Sequence, residues 1–596
     1  MKFIKAVFIA IIFFILGILG TVSTLTLFFW ERTRFDHFLL YAVNIQGTGT
    51  FIQNTFFICG IVVSMFLALA ALYMTTKTRI WTAIGILGLF IYTFRVDGYI
   101  TGIVETTEIY EKEYAEATVS PQSAKRNLIV LYLESLEDGY RNVNGINLLP
   151  RLSSLADEHY SFPGFRQLIY TGATISAQVG GICALPYKTE INQINLFSIL
   201  NATLPNARCF PDILKQNGYN TYFIKSGSIE FANTKRFVLQ HGFDLAEGIN
   251  EILIKYPDIA KKATGNDWGI KDSIMYELTK EKLTELAAQK QPFLVMMTTV
   301  DTHEPTPFLD PSCPKNYGDK RDIIFCADKM AADFIEWIQK QDFYPETTIV
   351  VMGDHISIGK NDILPQDQKR RIFNMIINPQ PGLTAQKHRW TTLDLAPTIL
   401  EAAGFDCGKL ALGRSLWQKE PTLEEKYGLS LDLEFNKSSA FYRQLQAAKA
   451  QPQPKFPLYT LNKEMKRTDD IRKYTFLAHE EMGKVWTDHL NLQIKAEDLN
   501  EKNICLNIKF ITLFDKPQQQ NLIDIKLNTK KIGQWKIAQN EKAPFEKEIC
   551  FSSQDLPEDG KLMFEFRTDS KINKIFYQAI GIIDFKLSAN NRSAAF

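Results

Sequence analysis

The sequence predicts an α/β protein with three transmembrane helices at its N-terminus, then a mostly parallel sheet flanked by helices, then a small C-terminal β-sandwich. Three observations carry this. Long apolar runs at 7–30, 51–74 and 80–94 crowd the start of the chain. From 126 to 420, continuous apolar segments of strand length alternate with helical segments. After about 485 the helical pattern stops and short alternating stretches replace it. The 596 residues suffice for several domains, and a formal net charge of +1 gives no electrostatic basis for nucleic acid as a partner.

Crossing a bilayer as a helix takes roughly 20 apolar residues. The first two runs meet this, and the third approaches it by extending through Val96. Lys2 and Lys5 set the N-terminus in the cytoplasm, and Lys77 and Arg79 hold the second loop there. Three crossings in 1–98 then deliver the rest of the chain to the outside. Arg32 and Arg34 in the first outer loop oppose this, with Glu31 and Asp36 beside them. The segment 35–47 carries Phe38, Leu39, Leu40 and Tyr41 and reads as amphipathic, lying on the outer surface. Residues 99–125 are polar and Glu-rich, a linker or surface helix.

Within 126–420 the expected strands are 127–133, 221–224, 293–300, 348–352 and 371–377, with helices at 211–217 and 327–341 between them. Residues 421–484 are charged and interrupted at Gln451-Pro452-Gln453-Pro454, a transition segment. In 485–596 the stretches 504–510, 523–527 and 562–566 alternate as half-buried antiparallel strands do, the pattern of a β-sandwich that binds glycan or caps the preceding domain. An oxidising outer compartment permits disulfides, and chain neighbours suggest Cys183 with Cys209, Cys313 with Cys326, and Cys505 with Cys550. Sequence alone does not fix such pairings. Cys59 falls in a membrane run and Cys407 is left over.

The chemistry starts at Gly353-Asp354-His355, where a buried strand ends in a carboxylate and an imidazole. Open α/β sheets hold ligands at that edge, and this donor pair suits a divalent cation. The strand 127–133 ends in Glu134-Ser135, which brings a second acid to the same edge if the two strands are neighbours. In Tyr170-Thr171-Gly172-Ala173-Thr174-Ile175-Ser176-Ala177 the small residues let backbone approach a ligand. Thr174 there is either a helix N-cap or a nucleophile whose proton a bound cation helps remove.

These segments belong to an ordered set. It comprises Leu133-Glu134-Ser135-Leu136-Glu137, the Thr174 turn with Cys183-Ala184-Leu185-Pro186, and Lys235-Arg236-Phe237 with His241-Gly242-Phe243-Asp244. Trp268-Gly269-Ile270-Lys271-Asp272, Val300-Asp301-Thr302-His303-Glu304-Pro305 and Gly353-Asp354-His355 follow. Leu393-Asp394-Leu395-Ala396-Pro397-Thr398 and Leu412-Gly413-Arg414-Ser415-Leu416 close the set. In this order 126–420 resembles the alkaline phosphatase/sulfatase superfamily, and within it the membrane phosphoglycerol transferases, which include lipoteichoic acid synthases. The resemblance implies a sulfatase-like catalytic domain with Glu134, Thr174, Asp354 and His355 as metal ligands. It implies Thr174 as nucleophile, His303 as a head-group contact that protonates the leaving group, and Trp268 and Lys271 as lining of the head-group pocket. Lys271 stands where the family has an arginine, so a point charge replaces a bidentate fork. Arg414 reads as structural.

The implied reaction is metal-dependent transfer of phosphoglycerol from phosphatidylglycerol to a glycan or polyol-phosphate acceptor through a phosphoglyceryl-threonine. The implied cation is Mn²⁺, with Mg²⁺ or Zn²⁺ as alternatives, in an oxygen-rich site. The implied location is the inner, cytoplasmic membrane, with the catalytic domain periplasmic or otherwise extracytoplasmic. A phosphoethanolamine transferase acting on lipid A or glycan shares the threonine and the anchor and stands as the rival. A non-catalytic glycan-binding membrane protein is the reading from a different class.

Overall fold

The computed structural model describes residues 2–30, 50–117, 120–121, 125–188, 203–256, 259, 264–357, 363–364 and 369–447, and beyond these the backbone of strands between 479 and 589. The expected amphipathic segment at 35–47 and the Pro/Gln stretch at 451–454 lie outside the described residues. The chain divides into two compact units, 1–449 and 450–596.

The first unit opens with helices α1 (Lys2–Trp30), α2 (Thr50–Tyr73) and α3 (Thr76–Thr93) at the three apolar runs. Lys5–Phe29 and Asn54–Tyr73 are each long and apolar enough to cross a membrane. α3 reaches that standard only together with α4 (Val96–Val104), from which it is bent by 61°. α1 and α2 touch closely through small residues. A Cβ on Gly17 would lie 2.5 Å from the Ser64 Cα, and the Ser64 hydroxyl is turned back to its own helix at the Gly60 carbonyl. Small residues let apolar helices approach in this way where lipid removes any hydrophobic gain from contact. Phe8, Ile11, Ile15, Phe57, Phe66 and Leu69 are exposed on the outer sides of the pair.

The central sheet holds β1 (Asn127–Leu133), β2 (Asn220–Lys225), β3 (Leu245–Glu247), β4 (Phe293–Thr298), β5 (Thr347–Gly353) and β6 (Asn374–Ile377) in the order β3-β2-β4-β1-β5-β6. All neighbours pair in parallel except β6, which runs antiparallel to β5. Alternate residues of β1 enter opposite cores: Leu128, Val130 and Tyr132 one, Ile129, Leu131 and Leu133 the other. That two-sided burial is why the strand reads as an unbroken apolar run. Helices α5 (Thr174–Cys183) and α8 (Leu395–Ala402) fill the first side, with Val179, Ile182, Ile399 and Leu400 in its core. Helices α6 (Asp272–Ala288) and α7 (Lys320–Gln339) fill the second with Met275, Leu283, Ile324 and Phe334. Short helices Leu423–Tyr427, α9 (Ser430–Asn436) and Ala440–Gln446 also pack on the first side through Leu423, Leu431, Phe435 and Tyr442.

Two strands differ from the sequence reading. β6 begins at Asn374 rather than 371, because Ile372 leaves the ladder and bridges Glu137 and Phe165 instead. The edge strand β3 has only three residues, too short for its alternation to register. The disulfides Cys183–Cys209 and Cys313–Cys326 are present, and Cys59 and Cys407 are free.

In the second unit, strands His479–Glu481, Lys484–Trp486, Ile580–Ala589, Asn503–Thr512 and Phe545–Ser552 lie side by side in one sheet. His489–Gln493, Lys561–Thr568, Asn521–Leu527 and Lys530–Ile537 form another, and the pairs within both are antiparallel. Cys505 and Cys550 are backbone register partners. A bond between them concerns side chains outside the described set.

Candidate active site

The register of β1 and β5 sets the site. Leu133 pairs with Gly353, so Glu134 and Asp354 leave adjacent strands at the same level of the sheet's carboxyl edge. Gly353 is required there for space. A Cβ on it would lie 2.0 Å from the Leu136 carbonyl oxygen and 2.9 Å from the Ile372 Cγ2. Gly353→Ala should therefore lower stability by about 2 kcal/mol or more, the ordinary cost of overpacking a tight core, read as a fall in melting temperature.

After β1 the chain turns through Ser135 in the left-handed region, at φ 54°. A non-glycine residue there is strained and persists because its surroundings hold it. Here the Ser135 N–H donates to Asp354 Oδ1 at 2.8 Å and its hydroxyl donates to Glu134 Oε1 at 2.6 Å. The His355 N–H also donates to Asp354 Oδ1, at 2.8 Å. Asp354 is thus fixed through one oxygen. Its other oxygen, Oδ2, is buried and accepts no hydrogen bond among the described residues.

His355 donates from Nδ1 to the Ile356 carbonyl at 2.8 Å, which assigns the tautomer and leaves Nε2 as an acceptor. Nε2 lies 3.4 Å from Asp354 Oδ2 and 3.7 Å from Glu134 Oε1, and it too is buried without a hydrogen bond. Burial and the Glu134 charge push the Asp354 carboxyl up to about 6. Burial lowers the His355 pKa, but the Asp354 and Glu134 charges outweigh it and the net shift is upward. One donor atom from each of Glu134, Asp354 and His355 falls within a 4.8 Å cluster. Two buried acids and a correctly oriented imidazole, with two bond-forming atoms turned inward, fit a divalent cation. Added Mn²⁺, Zn²⁺ or Mg²⁺ should raise the melting temperature of the chelator-treated protein, by about 4 kcal/mol of stabilisation at a thousandfold excess over Kd. Asp354→Asn should abolish that response in the same thermal scan.

Thr174 is the first residue of α5, and its hydroxyl faces Glu134 Oε2 at 3.4 Å. The N-cap is Ala173, and no side chain caps the helix. The capping role that a threonine at a helix start suggests is therefore not its role here.

His303 follows β4, the strand on the other side of β1. Its Nδ1 donates to the Glu304 carbonyl at 2.5 Å, and its ring packs against Trp268 at a 34° tilt with centroids 4.2 Å apart. Burial and the neighbouring His355 pull its pKa down to about 4, so it rests as a neutral imidazole. Trp268 is delivered by a two-stranded hairpin, Thr264–Asn266 with Gly269–Ile270. Gly269 bridges Gly227 in the loop after β2, and a Cβ on Gly269 would lie 2.3 Å from the Ser226 carbonyl oxygen. The Lys271 ammonium lies 4.0 Å from Asp310 Oδ2, and no described contact joins it to Glu134, Asp354 or His355.

Sequence reasoning missed two features. Asp272 and Asp301 clasp the hairpin to the His303 loop. Asp272 accepts from the Val300 and Asp301 N–H groups at 2.8 and 3.1 Å, and the Asp272 N–H donates to Asp301 Oδ2 at 3.0 Å. Burial pushes both carboxyls up, and the Asp272 charge pushes Asp301 further. The second feature is Lys225, the last residue of β2. Burial pulls its ammonium down to about 8, against the opposing pull of Glu134 and Asp354. It donates no hydrogen bond and forms no close ion pair among the described residues, and it lies 5.9 Å from the Phe231 ring centre. The available signal was its position: a cation ending an apolar strand beside Ser226-Gly227-Ser228.

A parallel sheet with four neighbouring strands sending Lys225, His303, Glu134 and Asp354-His355 to one edge defines a class. Residues 126–405 match the sulfatase family. Within that class, phosphoglycerol transferase I of Salmonella paratyphi B is 30% identical over 317 residues, 52% of this chain and 40% of that relative. The same protein of Salmonella typhi matches equally, at 30% over 317 residues. The chain thus spans about two-fifths of the length of these curated relatives, 40% in each case. Among solved structures, the lipoteichoic acid synthase LtaP from Listeria monocytogenes is similar at TM-score 0.39 and 21% identity, over 51% of this chain and 78% of that one. The lipooligosaccharide phosphoethanolamine transferase A from Neisseria meningitidis is similar at TM-score 0.44 and 13% identity, over 70% of this chain and 88% of that one.

Proposed function

We propose that this protein is a membrane-anchored transferase that moves phosphoglycerol from phosphatidylglycerol to an extracytoplasmic glycan or polyol-phosphate acceptor. The observation that carries the reading is the convergence of Glu134, Asp354 and His355 beside the Thr174 hydroxyl, in a domain 30% identical to phosphoglycerol transferase I. Helices α1 and α2, with the bent pair α3 and α4, serve as the anchor and keep the domain beside a donor that never leaves its bilayer.

Glu134, Asp354, His355 and Thr174 would hold the divalent cation. When bound, it lowers the pKa of the threonine hydroxyl and offsets charge on the phosphoryl oxygens; Mn²⁺ fits the oxygen-rich set, as do Mg²⁺ and Zn²⁺. The Thr174 oxygen attacks phosphorus as the bond to the diacylglycerol oxygen breaks, and the leaving oxygen takes up a proton. The phosphoglyceryl-threonine is then attacked by an acceptor hydroxyl, whose proton is released as Thr174 regains its own. His303, neutral at rest with an acceptor at Nε2, suits a base for the incoming hydroxyl better than an acid for the departing one. Trp268 packs at a tilt on His303 and walls the head-group side with Lys271, as the resemblance implies, and Lys225 offers a further positive charge. The two C-terminal sheets are read as the layers of a β-sandwich that binds glycan or caps the catalytic unit.

Intact-mass measurement after incubation with phosphatidylglycerol vesicles and Mn²⁺ tests this. The expected result is a glycerol-phosphate increment mapped to Thr174. An ethanolamine-phosphate increment from phosphatidylethanolamine, with none from phosphatidylglycerol, would replace the donor. No increment from either lipid would end the covalent reading.

A further inference from the structure

Beyond residue 104, three large apolar side chains among the described residues are exposed: Leu239, Leu429 and Leu433. Two of them stand four residues apart on one element. Leu429 is the N-cap of α9 and Leu433 sits one turn on, 76% and 67% exposed. The opposite side of the same helix is already occupied, since Leu431 and Phe435 are fully buried in the domain core. A seven-residue helix that is apolar on both sides has one side left to cover.

Its neighbour indicates what covers it. α9 packs on α4, which follows the third apolar helix after the 61° bend. The Asn436 side-chain amide donates to the Gly98 carbonyl at 2.9 Å, and a Cβ on Gly102 would lie 2.5 Å from the Asn436 carbonyl oxygen. The contact is therefore close and specific. α4 repeats the same pattern, with Ile100 and Val104 one turn apart and 55% and 74% exposed. Two touching elements, α4 and α9, thus each expose an apolar pair one turn apart, with Arg95 and Asp97 exposed at the bend and Lys437 3.7 Å from Glu105 where the two helices meet.

We infer that Leu429 and Leu433 of α9, beside Ile100 and Val104 at the end of the anchor, rest in the outer face of the bilayer and form a second membrane contact, made by the catalytic domain itself. This rests on the reading that the N-terminal helices cross a membrane. Helices lying in the interface sink their apolar side chains about 5–10 Å, to the boundary of head groups and acyl chains. The contact also reaches the site. The Tyr170 hydroxyl donates to Asn436 Oδ1 at 3.2 Å, and Tyr170 begins the turn that ends in Thr174. Seating α9 fixes the height of that turn above the head groups from which the donor phosphate comes.

The test uses the full chain in vesicles of phosphatidylethanolamine and phosphatidylglycerol containing a lipid spin-labelled high on its acyl chain. Leu433→Cys, in a Cys59→Ser, Cys407→Ser, Cys505→Ser, Cys550→Ser background under conditions that keep the Cys183–Cys209 and Cys313–Cys326 disulfides, carries an environment-sensitive fluorophore. Glu281→Cys on α6, exposed on the opposite layer of the sheet, is the control. The expected result is blue-shifted emission at 433 quenched about twofold by the spin label, with the 281 probe unmoved. If the chain floats with the vesicles and the 433 probe is unquenched, the docking contact is overturned while the anchor stands. A blue shift at 433 without quenching overturns it in favour of cover by protein, the C-terminal unit or a second copy. Equal quenching at 281 overturns it as non-specific. Failure to float overturns the anchor and the contact together, whatever the outcome of the mass measurement at Thr174.

Discussion

Thr174→Ala should lower phosphoglycerol transfer by at least about a thousandfold, equivalent to roughly 4 kcal/mol of transition-state stabilisation, and leave the melting temperature nearly unchanged. The two halves of this expectation come from the same geometry. The hydroxyl is the only group in the turn placed against the carboxylate cluster, facing Glu134 at 3.4 Å. The other threonine of the turn, Thr171, is committed to the Leu168 backbone on both its donor and acceptor sides. The hydroxyl does not cap α5, whose N-cap is Ala173, so its loss costs the helix little. Thr174→Ser keeps an oxygen at the site and should retain measurable transfer, within about a hundredfold of the parent. The measurement pairs head-group transfer from labelled phosphatidylglycerol with thermal melting. Transfer that survives in the alanine variant would sink the nucleophile assignment, and a large fall in melting temperature would recast Thr174 as structural.

The pattern of buried strands was legible because two-sided burial leaves no polar residue to break the run, as in β1 and β5. The Asp354-His355 pair and Glu134 were legible for the same reason: the first polar residues after such strands stand at the sheet's edge. What the sequence hid depends on contacts distant in the chain. β6 looked three residues longer because Ile372 and Phe373 are apolar, yet their backbone serves Phe165 and Leu136. The helices at 423–446 are short and carry charged faces, so their few core residues, such as Leu431, Phe435 and Tyr442, did not form a visible period. The Asp272–Asp301 clasp joins residues 29 apart through backbone bonds, which leave no signature in side-chain order. Lys271 lies inside the recognisable block and turns to Asp310, whereas Lys225 lies outside it and ends the strand next to β4.

Lys225 therefore supports the second large effect. A positive charge at that edge, half-buried and without a close carboxylate partner among the described residues, is available to a phosphate oxygen. Lys225→Met should raise KM for phosphatidylglycerol by about ten- to a hundredfold, the worth of one hydrogen bond to a charged group. The pH dependence has a definite sign. Burial lowers the ammonium pKa from 10.5 to about 8, so the charged form that binds phosphate is lost as pH rises through 8. Each further pH unit leaves about a tenth as much of it, and KM for the donor should climb by about that factor. Lys225→Arg keeps its charge across the range, since a guanidinium does not titrate below about 12. Its KM should then stay flat where that of the parent rises, and the methionine variant should be high and flat. Steady-state kinetics of the three proteins between pH 7 and about 10 decides the matter. An alkaline rise in KM that persists in the methionine variant would assign the titration to another group and remove Lys225 from phosphate binding.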